Sequence, residues 1–312
     1  MEDQYQHISV LLDEAIEGLC IRPTGVYIDC TLGGGGHACR ILEKLTSGHL
    51  LAFDQDQYAI DKARMRLSKI SNQFTLIQDN FQNIQEALAI EGVHEVDGIL
   101  YDLGVSSFQL DIPERGFSYR FDGPLDMRMD QNASLDAYSV VNSYTEKELT
   151  RILYDYGEEK FAPLIARKIV SARKNKPISS TLELVEVIKK ALPASALRGV
   201  SHPAKQTFQA IRIEVNHELD ILKQSLSDGL DLLKVGGRMV VITFHSLEDR
   251  IAKQLFKEKT TIQLPKGIPF IPEGYEVKYQ LVNKKIILPK EWELEHNNRS
   301  HSAKMRIIER IK

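Results

Sequence analysis

Residues 26–42 read VYIDCTLGGGGHACRIL. An apolar run ends in an acid, Asp29, four glycines follow at 33–36, and a helix-like segment resumes at His37. Glycine is used in such a run where backbone must come close to something else or adopt a conformation that a Cβ forbids. A strand, a glycine turn and a helix in that order open a βαβ unit. In open α/β sheets the ligand lies beyond the carboxyl ends of the strands, where this turn falls. The stretch therefore predicts both an α/β fold and the position of its binding crevice.

The rest of the 312 residues must complete that fold, and the chain is long enough to bury a sizeable core in one or two domains. Hydrophobic residues make up 43% and charged residues 27%, which suits a soluble globular class. The opening MEDQYQHISV is polar and acidic and does not read as a secretory signal. No apolar run approaches the ~20 residues of a membrane span. Cys20, Cys30 and Cys39 share no C-x-x-C spacing and read as reduced thiols of a cytoplasmic protein. The nine histidines show no metal-ligand spacing, so no metal is expected. Net charge is only −3, yet residues 160–212 hold eleven Lys or Arg against Glu183 and Glu186, a local balance of +9 that leaves −12 elsewhere. Such asymmetry points to a polyanionic partner on one region, although solvated helix faces would give the same count.

Strand-like and helix-like segments alternate through the first hundred residues: VYIDCTL, HLLAFD, FTLIQ and VDGILYD, each followed by a helical pattern. This alternation predicts a parallel sheet with right-handed crossovers. The rhythm breaks after Gly104, and residues from about 111 to 213 look mostly helical. It returns with an apolar stripe at Leu219, Leu222, Leu226, Leu230 and Leu233. Gly236 and Gly237 are expected to end that helix. A buried strand, RMVVITF, a helix from Ser246 and a final alternating strand, AKMRIIERI, complete the chain. The expected organisation is a doubly wound domain in two parts, 1–110 and 214–312, interrupted by a helical insertion at 111–213 that carries the basic region.

Four groups meet at one end of such a sheet: the glycines after the first strand, Asp54 at the end of the second, Phe81 after the third and Asp102 at the end of the fourth. Two ligands fit them. Gly33, Gly35 and Ala38 match a G-x-G-x-x-A dinucleotide fingerprint, with Asp54, 21 residues after Gly33, for ribose hydroxyls. S-adenosylmethionine also has a ribose and an adenine, no phosphate, and a methionine part that needs backbone clearance. No persuasive hydride-transfer site accompanies the glycines. A binding protein with a vestigial crevice is a third class, disfavoured by the intact glycine turn and Asp102.

Eight ordered motifs then carry a resemblance that runs nearly end to end: HISVLLDEAI, YIDCTLGGGGHA, DGILYDLGVSS followed by QLD, ERGFSYRFDGPLDMRMD, YGEEKFA, HPAKQTFQAIRIEVN, ITFHSLEDR and NNRSHSAKMRI. Together they resemble the bacterial MraW family of 16S ribosomal RNA cytosine-N4 methyltransferases. The resemblance implies a class I, Rossmann-like methyltransferase sheet with an inserted helical substrate-recognition domain. It implies S-adenosyl-L-methionine as cofactor and a cytidine of the decoding centre, in the small ribosomal subunit, as substrate. It places cofactor binding on Gly35, Gly36, His37, Asp54, Phe81, Asp102 and Gln109. The chain departs from the family at Phe108, where proline usually follows DLGVSS, and loss of proline's fixed φ loosens the expected placement of Gln109.

Cytosine N4 is a poor nucleophile because its lone pair is delocalised into the ring. The site must hold it in line with the methyl group and accept a hydrogen bond from the amine. Asp102 is the candidate for that catalytic contact, or alternatively for anchoring the cofactor's amino acid part. Phe108 and Phe244 are candidate stacking partners for the base, with plain core as the simpler reading of Phe244. His245 is as readily structural as functional. Methylation at cytosine C5 needs a cysteine nucleophile, commonly after a proline, and none of the three cysteines follows one. The target base must be unpaired or extruded. Lys160, Arg167, Lys168, Arg173, Lys174 and Lys176 are expected to hold RNA phosphates, some of them being ordinary surface.

Overall fold

A computed structural model describes residues 9–198, 202–262 and 276–312. The first eight residues, most of the opening stretch read above for a signal, lie outside the described residues. The chain divides into two compact units, Met1–Gly104 with Leu219–Lys312, and Val105–Glu218. These junctions fall at 104/105 and 218/219, a few residues outside the 110/111 and 213/214 expected. Gly104, at φ +102°, takes the chain out of the sheet directly after the fourth strand. The helix Lys205–Asn216 buries Phe208, Ile211 and Val215 in the helical core.

The first unit is a seven-stranded sheet of β1 (Val26–Asp29), β2 (His49–Asp54), β3 (Phe74–Gln78), β4 (Val96–Asp102), β5 (Leu233–Thr243), β6 (Tyr279–Leu281) and β7 (Lys304–Arg310). Their order is β3-β2-β1-β4-β5-β7-β6. The first five are parallel, and β7 runs antiparallel to β5. Alternate residues of each strand face opposite sides of the sheet. Leu50, Ala52, Leu100, Val240 and Ile242 therefore meet Leu19, Ile41, Leu42, Ile60 and Leu67 on one side. Leu51, Phe53, Ile99, Tyr101, Met239 and Val241 meet Leu88, Leu222, Leu226, Leu230 and Phe256 on the other. With both faces covered, the central strands are apolar throughout, as parallel strands must be. Full burial of a side chain such as Leu226 stabilises by roughly 1.5–3 kcal/mol.

One expectation is corrected. Gly236 and Gly237 do not end a helix; the helix Glu218–Asp231 stops before them, and both lie inside β5. Val96 pairs with Leu233 and Gly98 with Arg238, so β5 carries extra residues between those pairs. The loop-out places Gly236 at φ +80°. It also presses Gly237 against backbone, where a Cβ would stand 2.9 Å from the Lys234 carbonyl and 3.1 Å from that of Val96. Inside the bulge, the Lys234 ammonium reaches the Asp97 carboxylate at 2.8 Å. A glycine pair after an amphipathic run looks the same in sequence whether it caps a helix or bulges a strand.

The second unit is helical, and among its described residues there is no strand, only an isolated bridge between Pro124 and Ser180. Its core gathers Phe117, Leu125, Val140, Leu149, Ile152, Ile165, Ile169, Leu184, Ile188 and Ile211. Its helix starts are written locally. Thr145 and Glu148 form a reciprocal capping box ahead of the helix Glu146–Asp155, and Ser180 caps the helix Thr181–Ala191.

Candidate active site

The carboxyl ends of β1, β2 and β4 and the glycine turn build one crevice in the sheet unit. Asp29 closes β1 and is 1% exposed. Its Oδ1 accepts from the Thr31 backbone N–H at 3.0 Å, while its Oδ2 is buried with no protein partner. Burial, with the charge of Asp54 adding, pushes its carboxyl up to about 7 against the opposing hydrogen bonds from Thr31. Asp54 closes β2. Its Oδ2 accepts from Gly33 N–H at 2.8 Å and its Oδ1 from Asp56 N–H at 2.9 Å. Asp54 thereby fixes the glycine turn as well as lining the crevice, and burial raises it to about 6.

The glycines answer two separate demands. Gly33 and Gly35 sit at φ +48° and +74°, the left-handed region that side chains disfavour. Gly36 has no such strain, but a Cβ there would stand 1.9 Å from Ser9 Oγ, so clearance is its reason. The Arg66 guanidinium donates to the Gly34 carbonyl and steadies the turn from outside.

Asp102 closes β4. Its backbone N–H donates to Thr31 Oγ1 at 2.6 Å, which ties the ends of β1 and β4 together. His37 Nδ1 lies 3.5 Å from Asp102 Oδ2, with the His37 side chain 4% exposed. Asp102 Oδ1 is buried with no protein partner. Burial raises the Asp102 carboxyl well above the usual carboxylate range, and the charges of Asp29, Glu248 and Glu293 push the same way. Phe81 begins a single 3-10 turn after β3. Its ring packs edge-on to Tyr101 at 5.7 Å, and its carbonyl accepts from Ser225 Oγ at 2.8 Å.

The structure thus brings Gly35, Gly36, His37, Asp54 and Asp102 to one end of the sheet, with Phe81 after the adjoining strand. Gln109 belongs to the helical unit. There Ser106 and Gln109 form a capping box: Gln109 Oε1 accepts from Ser106 N–H at 3.0 Å, and Ser106 Oγ accepts from Gln109 N–H. This cap fixes the start of the helix Ser107–Asp111 without the family's proline. His245 is the N-cap of the helix Ser246–Lys259 and lies 3.1 Å from Glu248 through Nε2, a structural position. Phe244 packs against the sheet core.

Three acids escaped the sequence reading. Asp29 carried a signal, being the acid that ends the first strand four residues before the glycines. Glu248 is 2% exposed and accepts from the Phe244 and His245 N–H groups. Glu293, from the helix Glu291–His296, accepts from Leu11 N–H at 2.8 Å. Nothing local in sequence marks these two for a crevice formed by residues 29–102.

The basic residues divide by role. Arg173 is partly buried, and its guanidinium donates to the Val141 and Tyr144 carbonyls at the end of the helix Ala137–Ser143. It is a cationic cap on that helix terminus. Arg167 pairs with Glu146 at 3.5 Å and Lys176 with Glu183 at 2.7 Å. Lys160, Lys168 and Lys174 are exposed. All three cysteines are free thiols. Among the described residues there is no cluster of metal ligands and no helix long and apolar enough to cross a membrane.

A glycine turn between buried carboxylates, two of which hold unpartnered oxygens, suits a ligand that brings positive charge and hydrogen-bond donors. A sulfonium, an ammonium and ribose hydroxyls satisfy these oxygens. A pyrophosphate would add anionic charge beside Asp29, Asp54 and Asp102, which disfavours the dinucleotide reading. The fold and site are those of a Rossmann-like methyltransferase. The MraW methylase family profile matches residues 4–311, and the chain belongs to that family. It is 56% identical to the ribosomal RNA small subunit methyltransferase H of Streptococcus mutans, over 100% of both chains. It is 55% identical to the protein of the same name from Limosilactobacillus fermentum, over 99% of each. Among solved structures, an rRNA methylase from Streptococcus thermophilus aligns with 100% of this chain and 99% of its own, at TM-score 0.42 and 13% identity. The strand order, and not that overlap, carries the fold assignment. The protein is a methyltransferase, and its methyl donor is S-adenosylmethionine.

Proposed function

We propose that the protein methylates 16S ribosomal RNA of the small ribosomal subunit, at N4 of a cytidine in the decoding centre. The observation that carries this reading is full-length identity of 55–56% to two proteins named for methylation of small-subunit ribosomal RNA. In this reading the protein works in the cytoplasm, and the helical unit, Val105–Glu218, recognises the RNA.

The cofactor supplies a sulfonium-activated methyl group. Gly33–Gly36 give its methionine part clearance, and Asp54 accepts from its ribose. Asp29 Oδ2 is the acceptor for its ammonium. Phe81 is the remaining residue of the sheet unit in the cofactor set. Asp102 presents Oδ1 to the exocyclic amine of the target base, and His37 holds the other oxygen. In the free site burial and three neighbouring acids oppose the charge of Asp102 and raise its carboxyl well above the usual carboxylate range. A cation docked beside it offsets that repulsion and leaves the carboxylate ready to accept a hydrogen bond from the amine. Little basicity is needed, since the methylated nitrogen is itself acidic. Lys160, Lys168 and Lys174 hold phosphates, with Arg167 and Lys176 contributing once their surface ion pairs open; such pairs are worth about 0–1 kcal/mol.

Nucleoside mass spectrometry on small subunits from a strain lacking the protein tests the proposal. N4-methylcytidine should disappear and should return when purified protein and S-adenosylmethionine are added. Unchanged N4-methylcytidine in that strain would overturn it.

A further inference from the structure

Two motifs of the helical unit, ERGFSYRFDGPLDMRMD and HPAKQTFQAIRIEVN, take no part in the cofactor crevice, and the fold brings them together. Tyr119 of the first stacks on His202 of the second at 4.4 Å between centroids and 15° between planes, and meets Phe208 edge-on at 5.8 Å. His202 Nδ1 accepts from Ala204 N–H at 3.2 Å, which fixes the orientation of the ring. Burial, with the positive charges of Lys189 and Arg120 adding, holds the His202 imidazole below its ordinary value, so the ring is neutral at pH 7. With Nδ1 accepting, its one proton sits on Nε2, which has no partner among the described residues.

Arg120 stands on a loop that is held from below. Thr181, fully buried, donates through Oγ1 to the Phe121 carbonyl at 2.7 Å and accepts from Gly123 N–H at 3.0 Å. The Arg120 N–H donates to Ser118 Oγ at 3.2 Å, while its side chain is exposed. The next acid along the loop, Asp122, accepts from Leu182 N–H at 3.4 Å. Among the described residues no carboxylate pairs with Arg120. Lys189 pairs with Glu186 at 2.9 Å, a surface pair of the kind that opens readily. Residues 187–211 hold Lys189, Lys190, Arg198 and Lys205 and no acid. A neutral donor of fixed orientation and an unpaired guanidinium thus lie together in basic surroundings, an arrangement that an anion completes.

We infer that His202 Nε2 and the Arg120 guanidinium grip one phosphate of the RNA substrate, with Lys189 adding charge and Tyr119 holding the histidine ring in place. The inference rests on the RNA reading above and gives the helical unit a contact outside the basic run 160–176. A phosphate accepts from both groups whatever base it carries, so the contact positions the strand without reading its sequence.

The test measures binding of the full-length protein to small ribosomal subunits purified from a strain lacking it, at fixed magnesium and between about 50 and 200 mM salt. Arg120→Ala should lower the salt slope of log affinity by about 1, and Arg120→Lys should restore it. His202→Asn keeps an acceptor for Ala204 N–H but loses the Nε2 donor, and should weaken binding roughly tenfold. In the Arg120→Ala background the same change should weaken binding by less, because both groups hold one phosphate. Unfolding temperature and S-adenosylmethionine affinity should stay at wild-type values in Arg120→Ala, and the two Arg120 variants decide the outcome if His202→Asn unfolds. An unchanged slope in Arg120→Ala, an equal loss in Arg120→Lys, or fully additive losses in the double variant would each overturn the inference, while methylation by the wild type keeps the RNA reading intact. Failure of the wild type to methylate the subunits would overturn both.

Discussion

Replacing Asp29 with Asn should stabilise the cofactor-free protein at alkaline pH while weakening its grip on the cofactor. Asp29 is fully buried with one unpartnered oxygen, and its folded pKa of about 7 lies above the unfolded 3.8. A raised pKa means the folded state holds the proton more tightly. The contribution is fully favourable below about pH 3.8 and is lost as pH rises towards 7. At about 1.36 kcal/mol per pKa unit, ionising Asp29 costs the folded state ~4 kcal/mol by pH 8, of which ~2 kcal/mol accrues between pH 5.5 and 8. Asparagine keeps the acceptor for Thr31 N–H but leaves a buried amide unpaired, at about 1–3 kcal/mol. The variant should therefore lie within ~1 kcal/mol of wild type at pH 5.5 and exceed it by ~1–3 kcal/mol at pH 8. Urea unfolding without cofactor, followed by the fluorescence of Trp292 in the same unit, measures this difference. Cofactor affinity should fall about 10–100-fold, the value of one charge-assisted hydrogen bond. A stability difference that stays constant from pH 5.5 to 8 would refute the reasoning.

Binding of S-adenosylmethionine near pH 6.5 should release protons, because a cation lowers the raised pKa values of Asp29 and Asp102. Calorimetry in buffers of different ionisation enthalpy reads this directly, with affinity rising from pH 6 to 8. Gly36→Ala should reduce cofactor affinity and cost roughly 1–3 kcal/mol of stability through its clash with Ser9 Oγ. Adding Ser9→Ala should restore part of both, as a double-mutant cycle would show. Arg173→Ala should lower the unfolding temperature of the helical unit by removing a cap worth about 1–3 kcal/mol. Lys168→Ala and Lys174→Ala should instead leave unfolding unchanged and each reduce the salt slope of RNA binding by about 1.

The alternation of strands and helices was readable because each buried element writes its own period into the sequence. Leu222, Leu226 and Leu230 form a stripe wherever that helix lies, and the glycine turn with Asp54 marks a crevice by spacing alone. Gly236 and Gly237 were misread because the feature that separates a bulge from a cap, the backbone of Val96 and Asp97, lies 140 residues away. Arg173 looked like its neighbours Lys174 and Lys176, since a run of cations does not reveal which one bends back onto the carbonyls of Val141 and Tyr144.

Local chain chemistry by itself determined the order of elements, the position of the turn after β1 and the family, because periodicity, glycine conformation and motif spacing act over short stretches. Tertiary structure alone decided the electrostatics of the site. Asp29, Asp102, Glu248 and Glu293 influence one another only because the sheet and the C-terminal helix carry them out of water together. Charge is costly in proportion to lost solvent and to nearby charge of the same sign, and neither is a property of sequence neighbours.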